Sequence, residues 1–345
     1  MELLAGEDDA AVLPQVVAHY ELVAPLLEKQ FGGSPITYAN FPGGFSQPPY
    51  YHITGAPLSA RKLLWCVHRF YAIEFHSWAP QKGDETRLRF ARVLLERPAA
   101  VSDAGAPPFR DDRMKEAALA LRVTLVESHI EAIPLLDGRG GIALWIPLAD
   151  APAADTVRAW LHATAACAVA RHPALLSAEP NTRDLQRVHI HVSSNARHRY
   201  SAMPYSLRGA EDLPVCTPIA WEELGEIPLV AATARTFAQR LNRCGDVFAN
   251  QLALIAPQAL PASTPGGVLA VSSGHTPEPR GRIITAAIAI LDDGIARSAD
   301  DLCAEAIKRG LIPKTTLRKY VYSALIEYIA RSMGRGRRPP IVQDE

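Results

Sequence analysis

The sequence predicts a mixed α+β (α/β) fold in two parts: a large core of central β-sheets flanked by helices, and a small, mostly helical module. Three observations predict it. Apolar residues recur alternately at helical and at extended spacing through residues 1–257. A stretch rich in Pro, Gly, Ser, Thr and Ala follows, from Ile255 to Gly281, with the composition of a linker. Short helix-like segments then end in a basic, glycine-containing tail. The expected domains are therefore 1–257, a linker at 258–281, and 282–345.

Each element has its own signal. Val12, Val16, Val17, Tyr20, Val23, Leu26 and Leu27 recur at helical spacing, and Gly32-Gly33-Ser34-Pro35 ends that helix. Ile36–Tyr38 reads as a short strand, and Phe41-Pro42-Gly43-Gly44 as a turn. Residues 60–69 are helical in pattern, and Ala72–Trp78 is strand-like. An Ala/Pro-rich segment precedes a helix over Asp111–Val126. Asp137-Gly138-Arg139-Gly140-Gly141 has the composition of a turn, and Leu144–Leu148 is a buried strand. Asp155–His172 is an alanine-rich helix. Val188–Val192 is a strand that puts His189 and His191 on one face. A helical region is expected to start at Trp221–Gly225.

Composition narrows the function classes. The 345 residues suit two domains, or one large and one small. An apolar content of 48% supports a sizeable core, and a net charge of zero advertises no polyanion partner in bulk. Cys66, Cys167, Cys216, Cys244 and Cys303 are scattered, odd in number and lack C-x-x-C spacing. A disulfide framework or zinc site is not expected, and a reducing cytoplasm is. Acidic residues crowd the start where a signal peptide would need basic and apolar ones. No apolar run is long enough to span a bilayer, so no membrane partner is expected.

The most informative run is Asn195–Leu224. It holds Asn195 and Arg197, then Pro204-Tyr205-Ser206-Leu207-Arg208, then Thr217-Pro218 and Trp221-Glu222-Glu223-Leu224. Arg208 carries a fork of donors suited to phosphate oxygens, with hydroxyls on Tyr205 and Ser206 beside it. This run resembles the polymerase domain of bacterial DNA ligase D, the primase-polymerase of end joining. Cys216 stands where that family usually has Ser. Glu74-Phe75-His76-Ser77-Trp78 and Arg87-Leu88-Arg89-Phe90 resemble further family segments, and Gly245-Asp246 the family's closing R-L-x-x-x-G-D. The resemblance covers about residues 10–257. It implies a primase-polymerase core and nucleotide or phosphate binding by Asn195, Arg197, Tyr205, Ser206 and Arg208.

The resemblance also implies two divalent metal ions, and the residues for them are replaced. The family follows R-L-x-F with two aspartates one residue apart, where this chain has Ala91-Arg92-Val93-Leu94. Anchoring on Pro98 instead gives Leu95-Glu96-Arg97. The loop that holds serine, lysine and histidine in the family has Asp137, Gly140 and Ala143 here. His191 falls where the third metal-binding aspartate is expected. A tyrosine pair, Tyr50-Tyr51, is followed by His52 and Ile53, where the family has a lysine for a DNA 5′-phosphate. No cofactor is therefore expected, and no catalytic or metal-binding residue is assigned.

The C-terminal part resembles a winged helix-turn-helix. Helices are expected at Arg282–Leu291, at Ala299–Arg309 behind the N-cap Ser298 and before Gly310, and from Thr315 or Thr316 to about Ser332. Lys308 to Arg338 carries nine Lys/Arg and one acid, Glu327. Lys314, Thr315, Thr316, Arg318 and Lys319 would begin the recognition helix, and Arg335, Arg337 and Arg338 the wing.

The expectation is a catalytically inactive relative of the ligase D polymerase domain that binds DNA, in the cytoplasm and associated with the nucleoid. It would work in end joining or related DNA metabolism. A nucleotide and other end-joining proteins (Ku, a ligase) are candidate partners. Two alternatives stand beside it. One is an active primase or polymerase using Mg or Mn held by Asp84, Glu85, Glu96, Asp111 or Asp137. The other is a protein-interaction module with no nucleic-acid role.

Overall fold

A computed structural model describes residues 9–97, 109–178, 186–197, 199–261 and 299–312, with single helical positions at 283, 286, 287, 290, 321 and 325. The chain divides into two compact units, Met1–Val271 and Ser272–Glu345. The division falls inside the expected linker.

The first unit is built on two mainly antiparallel sheets that face each other across a cleft. α1 (Asp9–Phe31) leads in, burying Val16, Tyr20, Val23, Leu27 and Phe31 along one face. Pro25 removes one helical N–H without ending the helix, which stops at Gly33 with φ 82°. β1 (Pro35–Asn40), β2 (Tyr50–Pro57), β3 (Glu74–Ser77) and β11 (Ser201–Ala202) form a four-stranded sheet in the order β11-β3-β1-β2. Between β2 and β3 lies α2 (Ala60–Phe70), capped by Ser59, whose hydroxyl accepts the Lys62 N–H at 3.1 Å.

A short hairpin, β4 (Pro80–Gln81) and β5 (Asp84–Leu88), leads to β6 (Phe90–Glu96). β6 sits inside the second sheet with β7 (Ile133–Leu136), β8 (Ile142–Pro147), β9 (Leu176–Ser177), β10 (Val188–His191) and β12 (Thr217–Pro218). Their order is β12-β7-β8-β6-β10-β9, with only β9 and β10 parallel. α3 (Asp111–Val126) and α4 (Ala154–Arg171) cover its outer face, packing on Ala91, Val93 and Leu95 of β6 and on Ile142, Leu144 and Ile146 of β8.

Alternation sends the intervening residues inward, toward the cleft and a second core. Phe90 of β6 and Trp145 of β8 meet Phe31 and Phe248 there in a ring cluster with centroids 5.6–5.9 Å apart. Two short helices close the unit: α5 (Phe237–Cys244) and α6 (Val247–Ile255). The helical region expected at Trp221 is a single 3-10 turn, Trp221–Glu223, whose Trp221 Nε1 donates to the Ala132 carbonyl.

In the second unit, α7 (Ala299–Lys308) ends at Gly310, which takes φ 68° and donates to the Ile307 carbonyl. Ala286, Ala287, Ile290, Leu302, Cys303, Ala306, Ile312, Val321 and Leu325 make its small core. Lys314, Thr315, Thr316, Arg318, Lys319, Arg335, Arg337 and Arg338 lie outside the described residues.

Candidate functional site

The cleft between the two sheets has a volume of about 440 Å³. One wall comes from Thr37, Tyr51, Ile53, His76 and Ser201, and the other from Leu94, Glu96, Leu135, Ala143, Trp145 and His191. Loop residues Asp137, Arg139, Ser194, Tyr200, Arg208 and Cys216 complete it.

Glu74 anchors one side. It is fully buried on β3, and its carboxylate accepts Arg139 Nη2 at 2.6 Å, the Gly209 N–H at 2.8 Å and His76 Nε2 at 3.0 Å. Arg208 Nη1 lies 3.3 Å from it. Burial alone would push this carboxyl up, but the His76 hydrogen bond and the two guanidinium groups hold it down to about 2. Burial also lowers His76, so its ring is a neutral donor to Glu74. Sequence reasoning quoted Glu74 within a motif without giving it a role and read Arg139 as part of a turn. The available signal was an acid set between the apolar Ile73 and Phe75, which cannot be buried without cations nearby.

β6 sets the chemistry of the other side. Its alternation sends Ala91 and Val93 outward under α3 and α4, so neither faces the cleft. Leu95, from the anchoring on Pro98, lies outward with them, and the inward positions are Arg92, Leu94 and Glu96. Glu96 Oε1 meets His191 Nδ1 of β10 at 3.2 Å, and His191 Nε2 meets Ser193 Oγ. Arg92 is fully buried. Its guanidinium donates to the Ser77 carbonyl at 2.5 Å and the Ser194 carbonyl at 2.6 Å, and lies 5.4 Å from the Trp145 ring centre. Burial pulls its pKa down to about 9. It ties the two sheets together at the head of the cleft.

The residues present do not fit a pair of divalent ions. Such ions need several carboxylate oxygens. The cleft lining offers two carboxylates, Glu96, bonded to His191, and Asp137, whose Oδ1 accepts the Arg139 and Gly141 N–H groups, while Leu94 and Ala143 carry no donor. Among the described residues no three His, Cys, Asp or Glu side chains are grouped to hold a metal.

The expected nucleotide-binding residues divide. Arg208 lines the cleft. Asn195 does not: it is fully buried, its amide oxygen accepts the Arg92 N–H at 2.7 Å, and its amide nitrogen donates to the Arg92 and Val192 carbonyls. Ser206 Oγ accepts the Phe75 N–H at 2.8 Å and donates to the Leu207 carbonyl. Tyr205 is buried with φ 66°, and its hydroxyl donates to Asp246 at 2.5 Å. Arg197 pairs with Glu85 on the surface. Three of the five thus hold backbone in place and touch no ligand space.

The alternative acids are also dispersed. Asp84 binds its own turn through Thr86, Glu85 binds Arg197, and Asp111 binds Arg97. Only Glu96 and Asp137 line the cleft. All five cysteines are free. Among the described residues no helix is long and apolar enough to cross a membrane.

Comparison with known proteins gives one consistent likeness. The family model described as "LigD, primase-polymerase domain" matches residues 56–248. The chain is 24% identical over 261 residues to the multifunctional non-homologous end joining protein LigD of Mycolicibacterium smegmatis, covering 68% of this chain and 33% of that protein. It is 27% identical over 214 residues to the bifunctional non-homologous end joining protein LigD of Bacillus subtilis, covering 61% and 33%. The chain thus spans about a third of the length of these relatives. The solved polymerase domain from Mycobacterium tuberculosis ligase D, in complex with DNA, superimposes with a TM-score of 0.62 at 19% identity. That match covers 74% of this chain and 95% of that one.

Proposed function

The chain belongs to the LigD primase-polymerase family, and on that premise we propose that it is a non-catalytic DNA-binding member, acting as a scaffold in DNA end joining. The carrying observation is the donor set on the inward sheet face. Leu94, Glu96, Ala143 and His191 stand where two-metal transfer would need a cluster of carboxylates. Without them, nothing aligns a triphosphate or stabilises the charge that develops during an in-line displacement.

DNA as the partner draws on two supports: the solved relative is a complex with DNA, and nine basic residues against one acid lie between Lys308 and Arg338. In this proposal Lys314, Thr315, Thr316, Arg318 and Lys319 meet the duplex from a recognition helix, and Arg335, Arg337 and Arg338 from a wing. In this proposal other end-joining proteins, Ku and a DNA ligase, are the partners to try first, and the nucleoid is the place to look.

Primer extension with manganese and all four nucleotides tests the loss of chemistry. The expected result is no product above background. A template-directed product that Arg208→Ala abolishes would establish the active alternative. Duplex binding titrated against salt tests the partner. Neutralising Arg335, Arg337 and Arg338 together is expected to flatten the log–log slope by about 2 to 3. An unchanged slope would favour a protein-interaction module.

A further inference from the structure

β10 runs into a tight turn that carries an exposed serine. The Asn195 N–H donates to the Val192 carbonyl at 3.3 Å, closing a turn with Ser193 and Ser194 at its centre. Ser193 is exposed there, two residues past His191. His191 Nε2 meets Ser193 Oγ, and His191 Nδ1 meets Glu96 Oε1 at 3.2 Å. The direction of these bonds follows from what each group can do. An ionised carboxylate only accepts, so Nδ1 of the neutral ring carries the proton. Nε2 is then the acceptor and takes the hydrogen of the Ser193 hydroxyl.

The result is a hydroxyl, a base within reach of its proton, and a carboxylate that fixes the tautomer and orientation of that base. Among the described residues, neither Ser193 Oγ nor the His191 ring holds a backbone group in place, unlike Asn195 and Ser206. A packing role therefore does not account for them. The turn also has donors to spare. The N–H groups of Ser193 and Ser194 make no hydrogen bond among the described residues, so they are free to meet an oxyanion beside the nucleophile. Leu94 stands opposite His191 in the ladder between β6 and β10, and Leu135, Ala143 and Trp145 continue an apolar lining in the same cleft. Such a lining suits an apolar group of the substrate.

We propose that Ser193, His191 and Glu96 make this chain a hydrolase of neutral carboxylic esters whose acyl group lies against Leu94. This goes beyond the function proposed above, whose non-catalytic reading concerns nucleotidyl transfer. Ser193 Oγ attacks the ester carbonyl carbon, and its proton passes to His191 Nε2. Glu96 stabilises the imidazolium through Nδ1–H. The C–O bond to the alcohol breaks, and the leaving oxygen takes the proton from Nε2. Water then attacks the acyl carbon on Ser193 and gives a proton to Nε2. Oγ leaves and regains that proton. The sum is ester plus water to carboxylic acid plus alcohol, with no oxidant or reductant.

Hydrolysis of p-nitrophenyl butyrate by the full chain tests this, together with labelling by a fluorophosphonate and mapping of the labelled peptide. Release of p-nitrophenol above the buffer blank is expected, with the label on Ser193. Ser193→Ala should fall to the blank and take no label. Its thermal midpoint should not move, because the hydroxyl is exposed. His191→Gln and Glu96→Gln should each lower kcat by about a hundredfold or more. Glu96 is a positioning residue, so KM in Glu96→Gln should stay within about twofold of the parent. Three results would overturn the proposal: no hydrolysis above the blank, a rate retained in Ser193→Ala, or a label on another residue. Ester hydrolysis and primer extension read separate reactions, so either reading can fail alone.

Discussion

Glu74 and His19 show how single buried groups make this protein sensitive to charge. Glu74 has no exposed surface, and its anion is held by Arg139, Arg208, His76 and a backbone N–H. Glu74→Gln keeps the shape and removes the charge that Arg208 needs, so a loss of about 3 kcal/mol is expected in urea unfolding. Arg139 is half-exposed and can rehydrate, which keeps the figure at the low end of the range for broken buried pairs. His19 sits beneath Tyr205, with Nε2 donating to its carbonyl at 2.8 Å. Burial pulls the ring down from 6.5 to about 4. Its folded state therefore refuses a proton that the unfolded state accepts. Stability from His19 is fully present above pH 6.5 and is lost as pH falls toward 4, by about 3 kcal/mol at most. Glu74 adds a second, lower window, lost from 4.5 down toward 2. Urea midpoints at pH 7 and 4.5 should converge in His19→Gln, and an undiminished difference there would place the titrating group elsewhere.

Among the elements, α6 depends on one aspartate for two jobs. Asp246 accepts the Ala249 N–H at 3.0 Å as the helix N-cap and the Tyr205 hydroxyl at 2.5 Å. That phenol in turn accepts the Phe248 N–H at 3.1 Å. Asp246→Ala removes the cap and strands a buried hydroxyl, so about 2 kcal/mol should be lost. Asp246→Asn, which still caps and still accepts, should recover most of it. Gly209 makes a comparable point for a loop: a Cβ there would sit 1.9 Å from Phe41 Cζ. Gly209→Ala should cost about 1 to 3 kcal/mol through overpacking and loosen the Glu74 contact that its N–H makes, which a lower thermal midpoint would report. β6 shows the same dependence on position. Its alternation decides that Glu96, and not Ala91 or Val93, looks into the cleft.

For the whole molecule, the two units carry separate cores. Among the described residues, both large clusters of the first unit draw on residues between Val12 and Leu260, and the second unit packs nine buried residues of its own. A chain ending at residue 261 is therefore expected to fold, with one cooperative thermal transition near that of the first unit in the full chain. Under the proposed function it loses most of its duplex affinity. A truncated chain that unfolds or aggregates would show that the first unit relies on the second.

Much of this fold was legible in order along the chain. The helices over Asp111–Val126 and Ala154–Arg171, the strands at β1, β8 and β10, and the glycine stops announce themselves because helix and strand periods are local properties. The motif run Asn195–Leu224 likewise disclosed the family. Tertiary structure alone decided what those motif residues do. Asn195, Tyr205 and Ser206 are polar letters that folding buries and spends largely on backbone groups, while Glu74, with its neighbour His76, becomes the hub for the distant Arg139 and Arg208. Charge matching across 65 or more positions of sequence, as between Glu74 and Arg139, leaves no periodic trace. Which side chains share a cavity is fixed only when the sheets close on each other.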